Sequence, residues 1–453
     1  MNSRFPVFLA SLKSRPNVHK ILTNISWLMF DKGLRLGVGL FVGAWAARYL
    51  GPAQYGSLNF AIAFVSMFSP IASLGLNSVV VRDMVRNPGD AEKINQAAFF
   101  LHFCGSLLAS IVAVLLIGAL RAGDDIVVEI VYILVFSSIF RCTDVIKYWY
   151  ESQVRSRIVV WIESCIFLLG AAIKVFLILS QAELLSFVWI FLFESLLVSV
   201  VLLFSYFYSE RKVIFGWTSI ERLKNLLKDS FPLMLSGIAI IIYMRVDQIM
   251  LGSMLSDKEV GVYSAALRIS EVWYILPMVI TSSLFPGIVI LKEKDSKLYM
   301  NRVQSLLCVM CLLSFIAVVF VTCFGGYIIN ILFGAEYIES AAILKIHILG
   351  GVFVAIGVVG NSWYMAEDLQ KMIFSRTVVG SVINVVLNFI IIPKYGVIGS
   401  AATTVISFAF SGYILDFFSI KTRKLFLAKT RAIFIAPYWL VKHYETKTSK
   451  NLS

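Results

Sequence analysis

Charged side chains stand inside long apolar runs at five places in this chain, in sets that could do chemistry. The first run carries Asp31, Lys32 and Arg35. Asp31 and Arg35 are four residues apart, so they share a helix face and can pair. Gly33, Gly37, Gly39 and Gly43 leave the rest of that helix narrow and pliable. The fourth run ends in Arg141, Asp144 and Lys147. Tyr148 and Glu151 continue its Arg141–Asp144 face, and Lys147 marks the membrane interface. The fifth carries Glu163 and Lys174, three helical turns apart and so pointing the same way. The seventh carries Arg245 and Asp247 on different faces; the eighth carries Arg268 and Glu271, three apart and able to pair. A charge at mid-membrane costs on the order of 3 kcal/mol even on the lenient insertion scale, so such residues face a polar cavity or a partner. Along a cavity, Lys32, Arg35, Arg141 and Lys174 could replace the hydration of an anionic group. Asp31, Asp144, Glu163, Asp247 and Glu271 are then candidates for cation or proton coupling, or for ion pairing. Self-satisfied pairs between neighbouring helices explain the same residues, and both readings stand at this level.

The runs that hold these residues are membrane spans. Of 453 residues, 59% are hydrophobic, and the mean hydropathy is +0.85; a soluble domain is nearer 45–50% apolar. A span needs roughly 20 apolar residues. Twelve runs qualify, near 24–47, 57–81, 97–120, 126–146, 158–179, 184–208, 231–255, 262–290, 303–325, 341–365, 373–392 and 397–420. The remaining loops are short and hold no separate catalytic domain. The polar, basic first twenty residues argue against a cleavable signal peptide. Of the 40 Lys and Arg, 29 fall in the termini and the loops on their side of the membrane, against four on the other side. The positive-inside rule then expects both termini in the cytoplasm. The net charge of +13 is thus a topology signal rather than a nucleic-acid signature.

Segment 218–228 (TSIERLKNLLK) has Thr218 and Glu221 as a capping-box pair and Ile220, Leu223, Leu226 and Leu227 on one face. It reads as a cytoplasmic helix lying on the membrane between two halves, and the basic tail from 421 reads the same way. The halves look like copies: LGPAQYGSLNFA (50–61) matches LSDKEVGVYSAA (255–266), and YWYESQ (148–153) echoes SWYMAE (362–367). Equal orientation of six-helix halves makes this a parallel repeat. The expected organisation is therefore 1–208 with spans one to six, a linker helix at 209–229, 230–420 with spans seven to twelve, and a basic tail at 421–453. Cys308 and Cys311 have CxxC spacing on an apolar face, and all six cysteines read as small hydrophobes without metal or cofactor. His102 is taken as the lone histidine in a span and read as a hydrogen-bonded packing residue. Glu129, Glu194 and Asp416 sit nearer the interfaces and carry little functional weight. Trp149, Trp161, Trp189, Trp273 and Trp363 suit interfacial belts.

LGPAQYGSLNFA, RVDQIMLGSMLSDKEVGVYSAALRISEVWY (245–274), LFPGI (284–288), ILFGAEYIESAAILKI (331–346) and INVVLNFIIIPKYGVIGSAATTVIS (383–407) resemble the Wzx-type polysaccharide repeat-unit flippases. These are the O-antigen and exopolysaccharide transporters of the multidrug/oligosaccharidyl-lipid/polysaccharide exporter superfamily. The resemblance covers nearly the whole chain, and its D-Q-x-x-L-G…G-x-Y-S-A-A block is the most specific part. It implies an all-α polytopic protein with two six-helix lobes around a central cavity. It also implies alternating access and a polyprenyl-diphosphate-linked oligosaccharide as cargo. It places Arg245, Asp247, Arg268 and Glu271 near the cavity. The expected setting is the bacterial inner membrane, in lipopolysaccharide or exopolysaccharide biosynthesis, alongside a polysaccharide polymerase, with a monomer sufficient. A drug or cation antiporter of the same superfamily is the rival transporter. A membrane polymerase or ligase is disfavoured because the longest outward loop, roughly 325–340, lacks Lys, Arg and His.

Overall fold

A computed structural model describes residues 16–435 apart from 211, 212 and 217, with side chains at Trp27 and from Asp31 onward. The basic arm before residue 16 and the tail beyond 435 lie outside the described residues. Those described form helices and no strand: α1 Pro16–Met67, α2 Ser69–Ser73, α3 Leu76–Arg86, α4 Ala91–Leu120, α5 Asp125–Ile139, α6 Val145–Ser152, α7 Ser156–Leu179, α8 Leu184–Glu210, α9 Ile220–Met254, α10 Asp257–Val289, α11 Ser296–Phe333, α12 Ser340–Ala366 and α13 Gln370–Gly412. A further helix, α14, runs over 423–435. Among the described residues, ten helical stretches are long and apolar enough to cross a membrane. Two of them are broken, α1 at Gly51 (φ 72°, ψ 167°) and α13 at Gly396 (φ 58°, ψ −141°). Each break falls between two expected apolar runs, so the count is compatible with twelve. Glycine adopts such backbone without the Cβ penalty.

The chain divides into two compact units. The first comprises residues up to Tyr49 together with Ala61–Ile238; the second comprises Leu50–Phe60 together with Ala239 onward. The expected linker is not a separate helix. Segment 220–228 is the first stretch of the 35-residue α9, which continues as span seven. Ser219 rather than Thr218 caps it, its Oγ accepting from the Arg222 N–H at 3.3 Å. Leu226 is buried in the core of the first unit and Leu223 packs on it, while Ile220 and Leu227 stay exposed. The described part of the tail also differs from a surface helix. Leu425, Ala428 and Ala432 of α14 are buried in the core of the second unit, against residues of α10, α11 and α12.

The two echoed Trp-Tyr pairs are core residues, not belt residues: Trp149 and Trp363 are each about 95% buried. Both helices end identically. The Arg155 N–H donates to the Tyr150 carbonyl and the Leu369 N–H to the Tyr364 carbonyl, each at 2.8 Å. A left-handed residue precedes each donor, Val154 at φ 55° and Asp368 at φ 57°, as a Schellman-type end requires. The other repeat is a reciprocal close approach inside the second unit. A Cβ on Gly56 would overlap the Asp257 carbonyl, and one on Gly261 would overlap the Pro52 carbonyl. Pro52 and Asp257 are themselves equivalent in the repeat. Trp161 and Trp189 are exposed, as interfacial residues would be.

Candidate functional site

In the first unit, span four cannot remain a regular helix. Between α5 and α6, residues Phe140–Asp144 tighten into a 3-10 turn. The carbonyls this strains are answered by hydroxyls one turn apart on α8. Ser195 Oγ donates to Ser137 O at 2.7 Å, and Ser199 Oγ donates to Phe140 O at 3.0 Å. The turn carries Arg141 and Asp144 and leads into Lys147 on α6.

These residues enclose a cavity of about 550 Å³ whose lining includes Arg35, His102, Arg141, Asp144, Lys147 and Glu163. One ladder of alternating charge runs along it. Arg141 Nε lies 3.5 Å from Asp144, and Lys147 Nζ lies 2.8 Å from the same carboxylate. Lys147 also pairs with Glu163. Arg35 reaches Glu163 at 3.2 Å and Asp31 at 2.8 Å. Ser164 Oγ donates to Asp31 at 2.7 Å, and the Arg35 guanidinium lies over Phe167. Three cations face three carboxylates, so the ladder is neutral as it stands rather than cationic. It is also incompletely sealed: the Arg141 side chain is 63% exposed and that of Arg35 34%. His102 is packed in the cavity wall, but the hydrogen bond expected of it is not made at Nδ1 among the described residues.

Lys174 pairs with Glu194 at 3.0 Å, so Glu163 and Lys174 serve separate partners, and Glu194 itself lines the cavity. Lys32 is exposed on α1, outside the ladder and the lining.

The second unit treats its charges differently. The expected Arg268–Glu271 pair is not formed. Glu271 lies 3.5 Å from Arg245, and Arg268 donates to the Tyr55 hydroxyl at 3.2 Å. Helix packing explains the change, because Arg245 on α9 faces α10 while Arg268 turns toward segment 50–60. Asp247 is buried without an ion-pair partner among the described residues. It accepts instead from Tyr263 Oη at 2.8 Å, Thr404 Oγ1 at 2.6 Å and Asn388 Nδ2 at 2.5 Å. Thr403 Oγ1 holds the other side of Asn388 at 2.6 Å. His347, a second span histidine, shares its Nδ1 with Ser270 at 2.9 Å and Tyr274 at 3.1 Å.

A sealed cluster closes the end of span twelve. Asp416, expected to matter little, is fully buried between Arg376 at 2.6 Å and Lys429 at 2.8 Å, and the Tyr364 hydroxyl donates to it. Lys429 comes from α14 and also donates to the Gly412 carbonyl at 2.7 Å. Burial pushes its ammonium down from 10.5 to about 8, and the neighbouring Arg376 guanidinium adds to the fall against the opposing pull of Asp416. Cys308 and Cys311 are buried core thiols.

Reading the sequence missed Lys147, His347, Asn388, Thr404, Arg376 and Lys429. A signal existed for one group: Ser381, Asn384 and Asn388 recur at helical spacing in an apolar run. Lys147 looked like an interface marker because the 3-10 turn that swings it inward leaves no clear sequence trace.

Comparison with known proteins agrees with this architecture. The family model described as polysaccharide biosynthesis protein matches residues 21–292, and the MatE model matches residues 232–390. The probable low-salt glycan biosynthesis flippase Agl15 of Haloferax volcanii is 25% identical over 236 residues, 51% of this chain and 50% of that one. The probable flippase AglR of the same organism is 30% identical over 176 residues, 36% of this chain and 35% of that one. The chain thus spans half or less of the length of these two relatives. The inward closed structure of the lipid II flippase MurJ superposes with a TM-score of 0.74 at 18% identity over 93% of both chains, a likeness of fold. With the first family model covering more than half of it, this multi-pass membrane chain belongs to the polysaccharide biosynthesis protein family.

Proposed function

We propose that this protein is a flippase that moves a polyprenyl-diphosphate-linked oligosaccharide between membrane leaflets, supplying O-antigen or exopolysaccharide assembly at a bacterial inner membrane. The observation that carries this reading is the ladder from Arg141 to Asp31, open to water at Arg141 and Arg35, in helices long and apolar enough to cross a membrane. A dianionic head group entering the cavity replaces carboxylates at Arg35, Lys147 and Arg141. Each gained contact is a charge-assisted hydrogen bond that substitutes for lost hydration. The displaced Asp144 and Glu163 must then find water or a proton, so binding in a neutral ladder is self-limiting and release remains available. The two lobes expose the site alternately to each side. Asp247, held by neutral donors only, is the group we assign to coupling, by a proton or a monovalent cation.

The competing cargo is a cationic drug, since carboxylates are as numerous in the ladder as cations. Purified protein in vesicles separates the two. A lipid-linked saccharide reaching the opposite leaflet faster than in empty vesicles, with no movement of a cationic dye, supports the flippase. Dye transport without lipid movement rejects it.

A further inference from the structure

His102 on α4 lines the charged cavity but has no part in its ion ladder. It is only 3% exposed, yet its Nδ1 meets no hydrogen-bond partner among the described residues. An unpaired polar atom is costly to bury, and native folds pair nearly all of them. Much of the polar wall around it is already committed. The hydroxyls of Ser66, Ser110, Ser137 and Ser138 each donate to a backbone carbonyl at 2.7 Å, and that of Thr143 does so at 3.0 Å. Each ladder cation holds a carboxylate. The backbone that carries the imidazole is also fixed in place. A Cβ on Gly105, one turn along α4, would overlap the Ile71 and Ala72 carbonyls of α2, and Ala72 lines the cavity as well. The charges close enough to act on the imidazole are Asp144, Arg141 and Lys147, one end of the ladder.

We propose that His102 is a ligand of the transported head group, its Nδ1–H donating to the phosphate oxygen that takes the place of Asp144 between Arg141 and Lys147. The inference rests on the flippase reading and deepens it by naming a neutral donor of the same site. Position argues for this partner: Asp144 acts on the imidazole, so an anion that replaces it at Arg141 and Lys147 comes to lie beside His102. Chemistry argues for it too. An ionised phosphate oxygen only accepts hydrogen bonds, and as acceptor it selects the imidazole tautomer with hydrogen on Nδ1. A donor that is already desolvated and held by its helix loses little hydration or freedom when it meets such an oxygen. The unpaired nitrogen is then a stability cost that the bound head group removes.

The test compares His102→Leu, which fills the space without a donor, with His102→Asn, whose amide nitrogen falls near the Nδ1 position. Each protein sits in phosphatidylethanolamine/phosphatidylglycerol vesicles containing polyprenyl diphosphate N-acetylglucosamine labelled in the sugar. Transport is read against the fraction of labelled lipid, beside the melting temperature. His102→Leu is expected to raise the half-saturating fraction by about tenfold or more, the worth of a hydrogen bond to a charged group. It should melt no lower than the unmodified protein, because an apolar group of similar size removes an unpaired buried atom. His102→Asn should stay within about threefold of the unmodified half-saturation, since the donor is kept. A His102→Leu protein that saturates like the unmodified one overturns the ligand role and leaves the flippase reading intact. A His102→Leu protein that melts several degrees lower, with His102→Asn equally impaired in transport, marks a packing residue and overturns it as well. If the unmodified protein moves no labelled lipid, the flippase reading fails and the ligand role with it.

Discussion

Both units carry charge into the membrane, and they solve the same energetic problem in opposite ways. The first leaves its ladder partly wet, with Arg141 mostly exposed and Asp144, Lys147, Glu163 and Arg35 each shared between two partners. The second seals one cluster completely: Asp416 and Lys429 are fully buried, and Arg376 nearly so. Wet pairs gain little net stability, because water competes for each partner. Sealed ones cannot lose a partner without stranding a buried charge. The contrast suggests that charge in the first unit is kept for exchange with a ligand, and charge around Asp416 for holding α14 in place.

The sharpest test is Asp416→Asn. It strands Arg376 and Lys429 together, and thermal or denaturant unfolding of the detergent-solubilised protein should show a loss of about 3–5 kcal/mol. Arg141→Ala should shift the same curve by less than about 1 kcal/mol. Comparable losses in both variants would erase the distinction between the units.

Next in size is Gly261→Ala. Its Cβ meets backbone rather than a movable side chain, so the crossing with segment 50–60 must spread, at about 1–3 kcal/mol by overpacking. Gly56→Ala should behave alike, because the approach is reciprocal. A harmless Gly56→Ala beside a damaging Gly261→Ala would contradict that reciprocity.

Comparable in size, up to about 3 kcal/mol over the full shift, is a pH dependence. Lys429 is held at about 8 in the fold against 10.5 when free, so between these values the unfolded chain binds the extra proton. Stability should therefore rise as pH increases from 8 to 10.5, and the rise should vanish in Lys429→Met. A fall across that window specific to the wild-type lysine would show that the Asp416 pair outweighs its burial.

The spans were legible because their apolar length and the distribution of Lys and Arg need no tertiary knowledge. The Asp31–Arg35 pair was legible because both residues lie on one helix. What stayed hidden depends on departures from regular helix or on distant contacts. The 3-10 turn at Phe140–Asp144 brings Lys147 to Glu163. The docking of α14 brings Lys429 to Asp416, thirteen residues on and around a corner. Arg245 took the partner assigned to Arg268 because facing helices, not local spacing, set which side chains meet. Segment 218–228 was read as an amphipathic helix lying on the membrane, and Leu226 and Leu223 of its apolar face meet the protein core.

The central claim is that the exposed ladder of the first unit handles the transported head group. Its most direct test is the rate at which Arg35→Ala and Arg141→Ala move a lipid-linked saccharide in vesicles, measured beside their melting temperatures. The account predicts at least a tenfold loss of transport in each, with melting within a few degrees of the unmodified protein. Unmodified transport rates in both variants would contradict it.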